Sequence, residues 1–98
     1  MGKYLLLWRL DPARVPADPK ERAAGWSGLM AMVERDLEKG ISKDWGSFIG
    51  EGRGYAIIEG SEIEVSLMTQ QYSPYVRFEV HPIMSAGQVE DMLKAMGG

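Results

Sequence analysis

Three charged or titratable residues alternate along one short stretch of the C-terminal half: Arg77, Glu79 and His81. Apolar residues stand between them, and this period of two places the three side chains on one face of a predicted strand. A histidine beside a carboxylate can transfer protons near neutral pH, and a guanidinium can hold an anion. The stretch therefore predicts either a proton-handling face or the ordinary polar face of a half-solvated or dimer-bridging edge strand.

Three aromatic residues, Trp8, Trp45 and Tyr55, offer a second kind of candidate site. Small-molecule pockets are mostly apolar with a few polar anchors, so these rings could line one. The alternative is that they belong to the sheet core or to a dimer contact. Together with the alternating polar residues they make up the predicted ligand-binding set, which is Trp8, Trp45, Tyr55, Arg77, Glu79 and His81.

The composition excludes several kinds of chemistry. The sequence has no cysteine, and His81 is its only histidine, so disulfides, thiolate nucleophiles and the usual metal sites are not expected. The glycine-rich segment 50–54 precedes strand-like sequence rather than a helix, so it predicts a hairpin turn and not a phosphate loop. We therefore predict no metal and no cofactor, and we assign no catalytic residue.

Length and charge limit the partners. The chain has 98 residues and a net charge of −3, which fits a single domain over residues 1–98. Its lysines and arginines are spread singly along the sequence, so neither nucleic acid nor an anionic membrane surface is expected as a partner. The apolar run 5–8 is too short for a signal peptide or a spanning helix. We therefore expect a soluble protein, and the absence of cysteine favours the cytoplasm.

The periodicity of the apolar residues, together with the capping residues, glycines and prolines that begin or end helices and strands, predicts seven elements of secondary structure. A helix should begin at the cap Asp18 and end at Gly40, and a short last helix should begin at the capping pair of Ser85 and Gln88. Its apolar residues Val89, Met92, Leu93 and Met96 are expected to face inward. The predicted strands span residues 4–10, 44–49, 55–59 and 75–81.

The segment 61–72 is ambiguous, since Ile63, Val65 and Leu67 alternate as they would in a strand. Ser61 and Glu64, however, have the spacing of a helix capping box. The segment also has to cross from the third strand to the fourth. These two features favour a helix.

The resulting order, β-α-β-β-α-β with a C-terminal helix, predicts an α+β fold of ferredoxin-like type. In this fold a four-stranded antiparallel sheet has the first and third strands at its centre, and two helices cover one face. Both central strands are apolar on both sides, which is typical of strands buried on both faces. We expect Leu6, Trp8 and Ile57 to lie on the uncovered face. A second copy packing sheet to sheet would cover them, so the sequence predicts a homodimer.

Three segments, 43–48, 54–60 and 76–83, resemble uncharacterised members of the dimeric α/β-barrel superfamily. The same superfamily includes muconolactone isomerase-like proteins and antibiotic-biosynthesis-type monooxygenases. The resemblance covers nearly the whole chain and implies a dimer in which two sheets enclose a barrel-like cavity. It implies no particular chemistry, because the superfamily contains enzymes, haem binders and proteins without known activity.

Two functions follow from these patterns. The first is a small homodimeric protein that binds an apolar or aromatic small molecule in the sheet cavity. The alternative is a cofactor-independent isomerase- or monooxygenase-like enzyme in which His81 and Glu79 handle protons and Arg77 holds an anion. The first is preferred, because no nucleophile stands in an evident relation to the single histidine.

Overall fold

A computed structural model describes residues 2–97 and contains the predicted elements in the predicted order. The elements are β1 (Gly2–Leu10), a 3-10 turn (Pro12–Arg14), α1 (Pro19–Lys39), β2 (Ser42–Ser47), β3 (Arg53–Gly60), α2 (Glu62–Gln70), β4 (Val76–Ile83) and α3 (Ala86–Gly97). The strands form one antiparallel sheet in the order β2-β3-β1-β4. The ferredoxin-like α+β fold is thereby confirmed, with β1 and β3 at the centre.

Short polar contacts fix the ends of the helices. The Asp18 carboxylate accepts a hydrogen bond from the Glu21 amide at 3.1 Å, and Gly40 ends α1 in the left-handed conformation. Ser61 and Glu64 form the complete capping box that begins α2. The prediction of a helix in 61–72 is therefore correct. The strand-like alternation does not correspond to a buried face, because the helix buries Val65 and leaves Ile63 and Leu67 exposed.

The core lies between the sheet and the layer formed by α1 and α2. Among residues 2–97, Leu6 and Ile58 are the largest fully buried side chains, and residues of both helices pack against them: Val33, Val65 and Met68. We call the opposite side of the sheet the open face. It carries the odd-numbered residues of β1, β3 and β4, because side chains alternate along a strand.

The assignment of faces in β1 has to be corrected. Leu6 and Trp8 were expected on the open face, but both are buried against the helices. The half-buried Leu5 and Leu7 lie on the open face instead, and there Ile57 pairs with Leu5. Alternation decides which residues share a face. It could not decide which face meets the helices, because both sets of β1 side chains are apolar.

One buried polar contact joins α1 to the segment after α2. The Tyr72 hydroxyl donates to the Asp36 carboxylate at 2.8 Å, and both residues are buried. Burial, together with this carboxylate, raises the pKa of Tyr72 far above its ordinary value. The phenol therefore stays protonated and supplies the hydrogen bond that a buried carboxylate requires.

The C-terminal helix α3 projects from the rest of the molecule. The chain measures 60 × 25 × 19 Å and has a radius of gyration of 16.1 Å, whereas a compact domain of about 100 residues has a value of about 13 Å. None of the α3 residues is buried. The expectation that its apolar face points inward is wrong. β4 continues to Ile83, so α3 begins beyond the end of the sheet and its apolar stripe meets little of its own chain.

Candidate functional site

The open face has an apolar centre with polar side chains along its edge strand. The register places Leu7 between Tyr55 and Glu79, and Leu5 between Ile57 and His81. Glu79 and His81 therefore share one surface, as the alternation along β4 predicts, and the register adds Tyr55 to it. Neighbouring strands are about 4.8 Å apart, so the Cα atoms of Tyr55 and Glu79 stand about 10 Å apart, with Leu7 between them.

Glu79 and His81 form a direct contact on this face. The His81 Nε2 atom lies 2.8 Å from the Glu79 Oε2 atom, and both side chains are at least half exposed. Because solvent screens the pair, it adds little to stability. An imidazole held against a carboxylate in an accessible position can donate or accept a proton.

Tyr55 borders the same face on the side of β2. Its hydroxyl donates to the Asp44 carboxylate at 2.8 Å, and this hydrogen bond raises the pKa of the phenol. The ring covers Gly46, where any side chain would collide with it, and it stacks against Phe48 with the centroids 6.4 Å apart. Tyr55 is thus a fixed, protonated phenol at the border of the open face.

Trp8 and Trp45 lie on the other side of the sheet, so the six predicted site residues do not form one site. The two rings stack at 5.2 Å, and Trp26 meets Trp8 edge-on at 5.9 Å. The Trp8 indole N–H donates to the carbonyls of Gly46 and Tyr55, each at 3.2 Å. The cavity beside these rings measures only about 40 Å³, enough for water but not for an aromatic ligand. Both tryptophans are core residues.

Gly54, which pairs with Trp8, gives a test of this packing. A Cβ atom on Gly54 would collide with the Gly46 carbonyl and approach the Trp8 ring to 2.6 Å. Gly54→Ala is therefore expected to destabilise the protein by about 1–3 kcal/mol. Gly25→Ala is the matched control, since Gly25 is exposed on α1 and nothing lies within 4 Å of its Cβ position. It should stabilise the protein by about 1 kcal/mol.

The urea midpoint of unfolding is measured for each variant. The slope of the unfolding free energy against urea concentration should stay the same. Equal midpoints for Gly54→Ala and the parent protein would show that β2 and β3 do not close tightly over Trp8. A midpoint for Gly25→Ala that falls instead of rising would show that another surface covers this part of α1.

The sequence pattern pointed to Arg77 alone, whereas the sheet brings Arg77 into one row with Arg9 and Arg53. Arg9 pairs with Arg53 on one side and with Arg77 on the other, and all three belong to the open face. An open cleft of about 410 Å³ lies beside this arginine row, lined also by Leu7, Phe48 and Glu79. The basic residues are dispersed along the chain, as expected. The expectation that they are also dispersed in space is wrong, because the sheet brings three of them together. The register of the three strands is the only signal that could have revealed the row.

Two further findings concern the described residues alone. Between residues 2 and 97, no group of three histidine, aspartate or glutamate side chains is arranged to hold a metal ion. None of the three α-helices is long and apolar enough to cross a membrane.

The fold and the open face define a small ferredoxin-like α+β domain with an amphipathic sheet surface. The chain belongs to the family described as Domain of unknown function (DUF3303), which matches residues 2–97. No curated protein matches it.

Proposed function

We propose that this protein is a homodimer that binds an apolar or aromatic small molecule against the open face of its sheet. The observation that carries the proposal is the apolar floor formed by Leu5, Leu7 and Ile57 on the two central strands. In the part of the chain described here, α1 and α2 both pack on the other face. Central strands with apolar side chains on both faces are typical of sheets covered on both sides. A second copy of the chain supplies the missing layer.

The projecting helix α3 supports the same assembly. Its residues Met92, Leu93 and Met96 are exposed, and they follow Val89 at helical spacing, so they form one apolar stripe. An isolated helix of about 12 residues is marginal in water unless its apolar face is packed. In the proposed dimer, α3 of each protomer packs on the partner.

The ligand in this proposal occupies the space enclosed between the two sheets. Its apolar part rests on the floor, while Tyr55, Glu79 and His81 give hydrogen-bonding groups at the border. This combination of an apolar lining with few polar anchors is what small-molecule sites require. The cytoplasm is the proposed compartment, since a sequence without cysteine suits a reducing environment.

A second candidate function is a cofactor-independent enzyme of the isomerase or monooxygenase kind. The 2.8 Å contact between His81 and Glu79 favours it, because it holds an accessible imidazole beside a carboxylate on the ligand-binding face. In such an enzyme His81 would move a proton and Arg77 would hold an anionic substrate group.

The test measures the mass of the full chain and its binding of an uncharged aromatic probe. Light scattering at micromolar concentration should give twice the 10.9 kDa of one chain. N-phenyl-1-naphthylamine should bind with a rise in fluorescence. Ile57→Glu should abolish this binding, whereas Leu37→Glu, on the exposed side of α1, should leave it unchanged.

A monomer that does not bind the probe would contradict the proposal. The same samples separate the two functions when an aromatic ketone is added in D₂O. The protein is an enzyme if it exchanges deuterium into the ketone and if His81→Gln loses this exchange while it still binds the probe. Binding without exchange favours the binding protein.

A further inference from the structure

The arginine row places like charges directly opposite one another. Arg53, Arg9 and Arg77 occupy paired positions on three neighbouring strands, so their Cα atoms span about 10 Å. Like charges in such cross-strand pairs destabilise a sheet. The chain carries a net charge of −3, yet three of its six arginines lie in this row.

Two of the three arginines in the row make only long ion pairs with carboxylates. Arg77 Nη2 lies 3.7 Å from the Asp11 carboxylate, and Arg53 Nε lies 3.9 Å from that of Glu51. Both distances are well beyond those of a strong charge-assisted hydrogen bond, which is about 2.7–2.9 Å. Within residues 2–97, the central Arg9 has no carboxylate within 4.0 Å.

Glu79 is the acidic side chain that lines the cleft, and its carboxylate is already in contact with His81 at 2.8 Å. The other neighbours are apolar. Leu7 forms part of the floor, and the Phe48 ring lies with its centroid 6.0 Å from the Arg53 guanidinium carbon. The cleft therefore joins a cationic end to an apolar surface.

We propose that Arg9, Arg53 and Arg77 bind the anionic group of the ligand, which is thus an apolar or aromatic molecule carrying a carboxylate, sulfonate, sulfate or phosphate. This inference rests on the proposed function and specifies the chemical class of the ligand. Guanidinium groups suit such anions because their donors match the geometry of paired oxygens. The anion removes the repulsion within the row, and Leu7 and Phe48 contact the apolar part.

The experiment compares two probes that differ by one charged group. The full-length protein is titrated with 8-anilinonaphthalene-1-sulfonate and with N-phenyl-1-naphthylamine, which has the same rings without the sulfonate. The sulfonate is expected to bind at least about tenfold more tightly, a difference of about 1.4 kcal/mol. Arg9→Gln should remove this advantage and leave binding of the uncharged probe unchanged. Inorganic phosphate should compete with the sulfonate alone.

Arg35→Gln is the matched control, because it removes the same charge from an exposed position on α1, in the layer on the other side of the sheet. It should change neither affinity. Equal affinities for both probes, unchanged in Arg9→Gln, would overturn the inference while leaving the proposed function intact. If neither probe binds, both fail. A lower dimer mass in Arg9→Gln with no effect on sulfonate binding would mean that the row pairs with carboxylates of the second copy, which also overturns the inference.

Discussion

Leu6→Glu is expected to prevent folding, whereas Leu5→Glu, one position earlier, should give a folded monomer. Leu6 is 0% exposed in the core, so the substitution loses about 1.5–3 kcal/mol of hydrophobic stabilisation. It also buries a carboxylate among apolar side chains, which costs several kcal/mol more. A domain of this size has about 5–15 kcal/mol of stability in total.

Leu5 lies on the open face between Ile57 and His81. A glutamate there remains at a surface in the monomer, and His81 stands beside it as a partner. In the proposed dimer the same carboxylate would be buried between two sheets, once from each protomer. Circular dichroism should show native structure only for Leu5→Glu, and light scattering should show its mass halved. A folded Leu6→Glu protein would mean that the faces of β1 are reversed, and a dimeric Leu5→Glu protein would place the interface elsewhere.

Leu93→Glu should weaken the proposed dimer by about a hundredfold or more. The side chain is 55% exposed in the centre of the α3 stripe, and burial of a leucine contributes about 1.5–3 kcal/mol. Because each dimer contains two copies of α3, the loss counts twice. Lys94→Glu introduces the same residue one position along, outside the apolar stripe, and should change the association much less.

Sedimentation over a series of concentrations measures the dissociation constant of each variant. The unfolding midpoint of the separated monomer should not change with either substitution, because the α3 residues are unburied in the single chain. Equal dimer affinities for Leu93→Glu and Lys94→Glu would show that the stripe lies outside the interface. Unfolding of Leu93→Glu at all concentrations would instead mean that α3 packs on its own protomer.

Local sequence signals were sufficient for the elements and for their order. The Asp18 cap and Gly40 set the ends of α1, and the capping box at Ser61 outweighed a misleading alternation. Gly50 and Gly52 adopt positive φ in the turn between β2 and β3, as the glycine-rich segment indicates. These signals act within a few residues, so they need no knowledge of the rest of the fold.

The sequence by itself determined the ferredoxin-like topology, the central position of β1 and β3, and the shared face of Arg77, Glu79 and His81. Only the tertiary structure decided which face of β1 meets the helices and that α3 projects. It also decided that Trp8 is buried in the core and that the arginine row exists. The physical reason is that alternation determines which residues of one strand share a face. Which face is covered, and which residues of different strands stand opposite one another, depends on packing and register between segments that are distant in sequence.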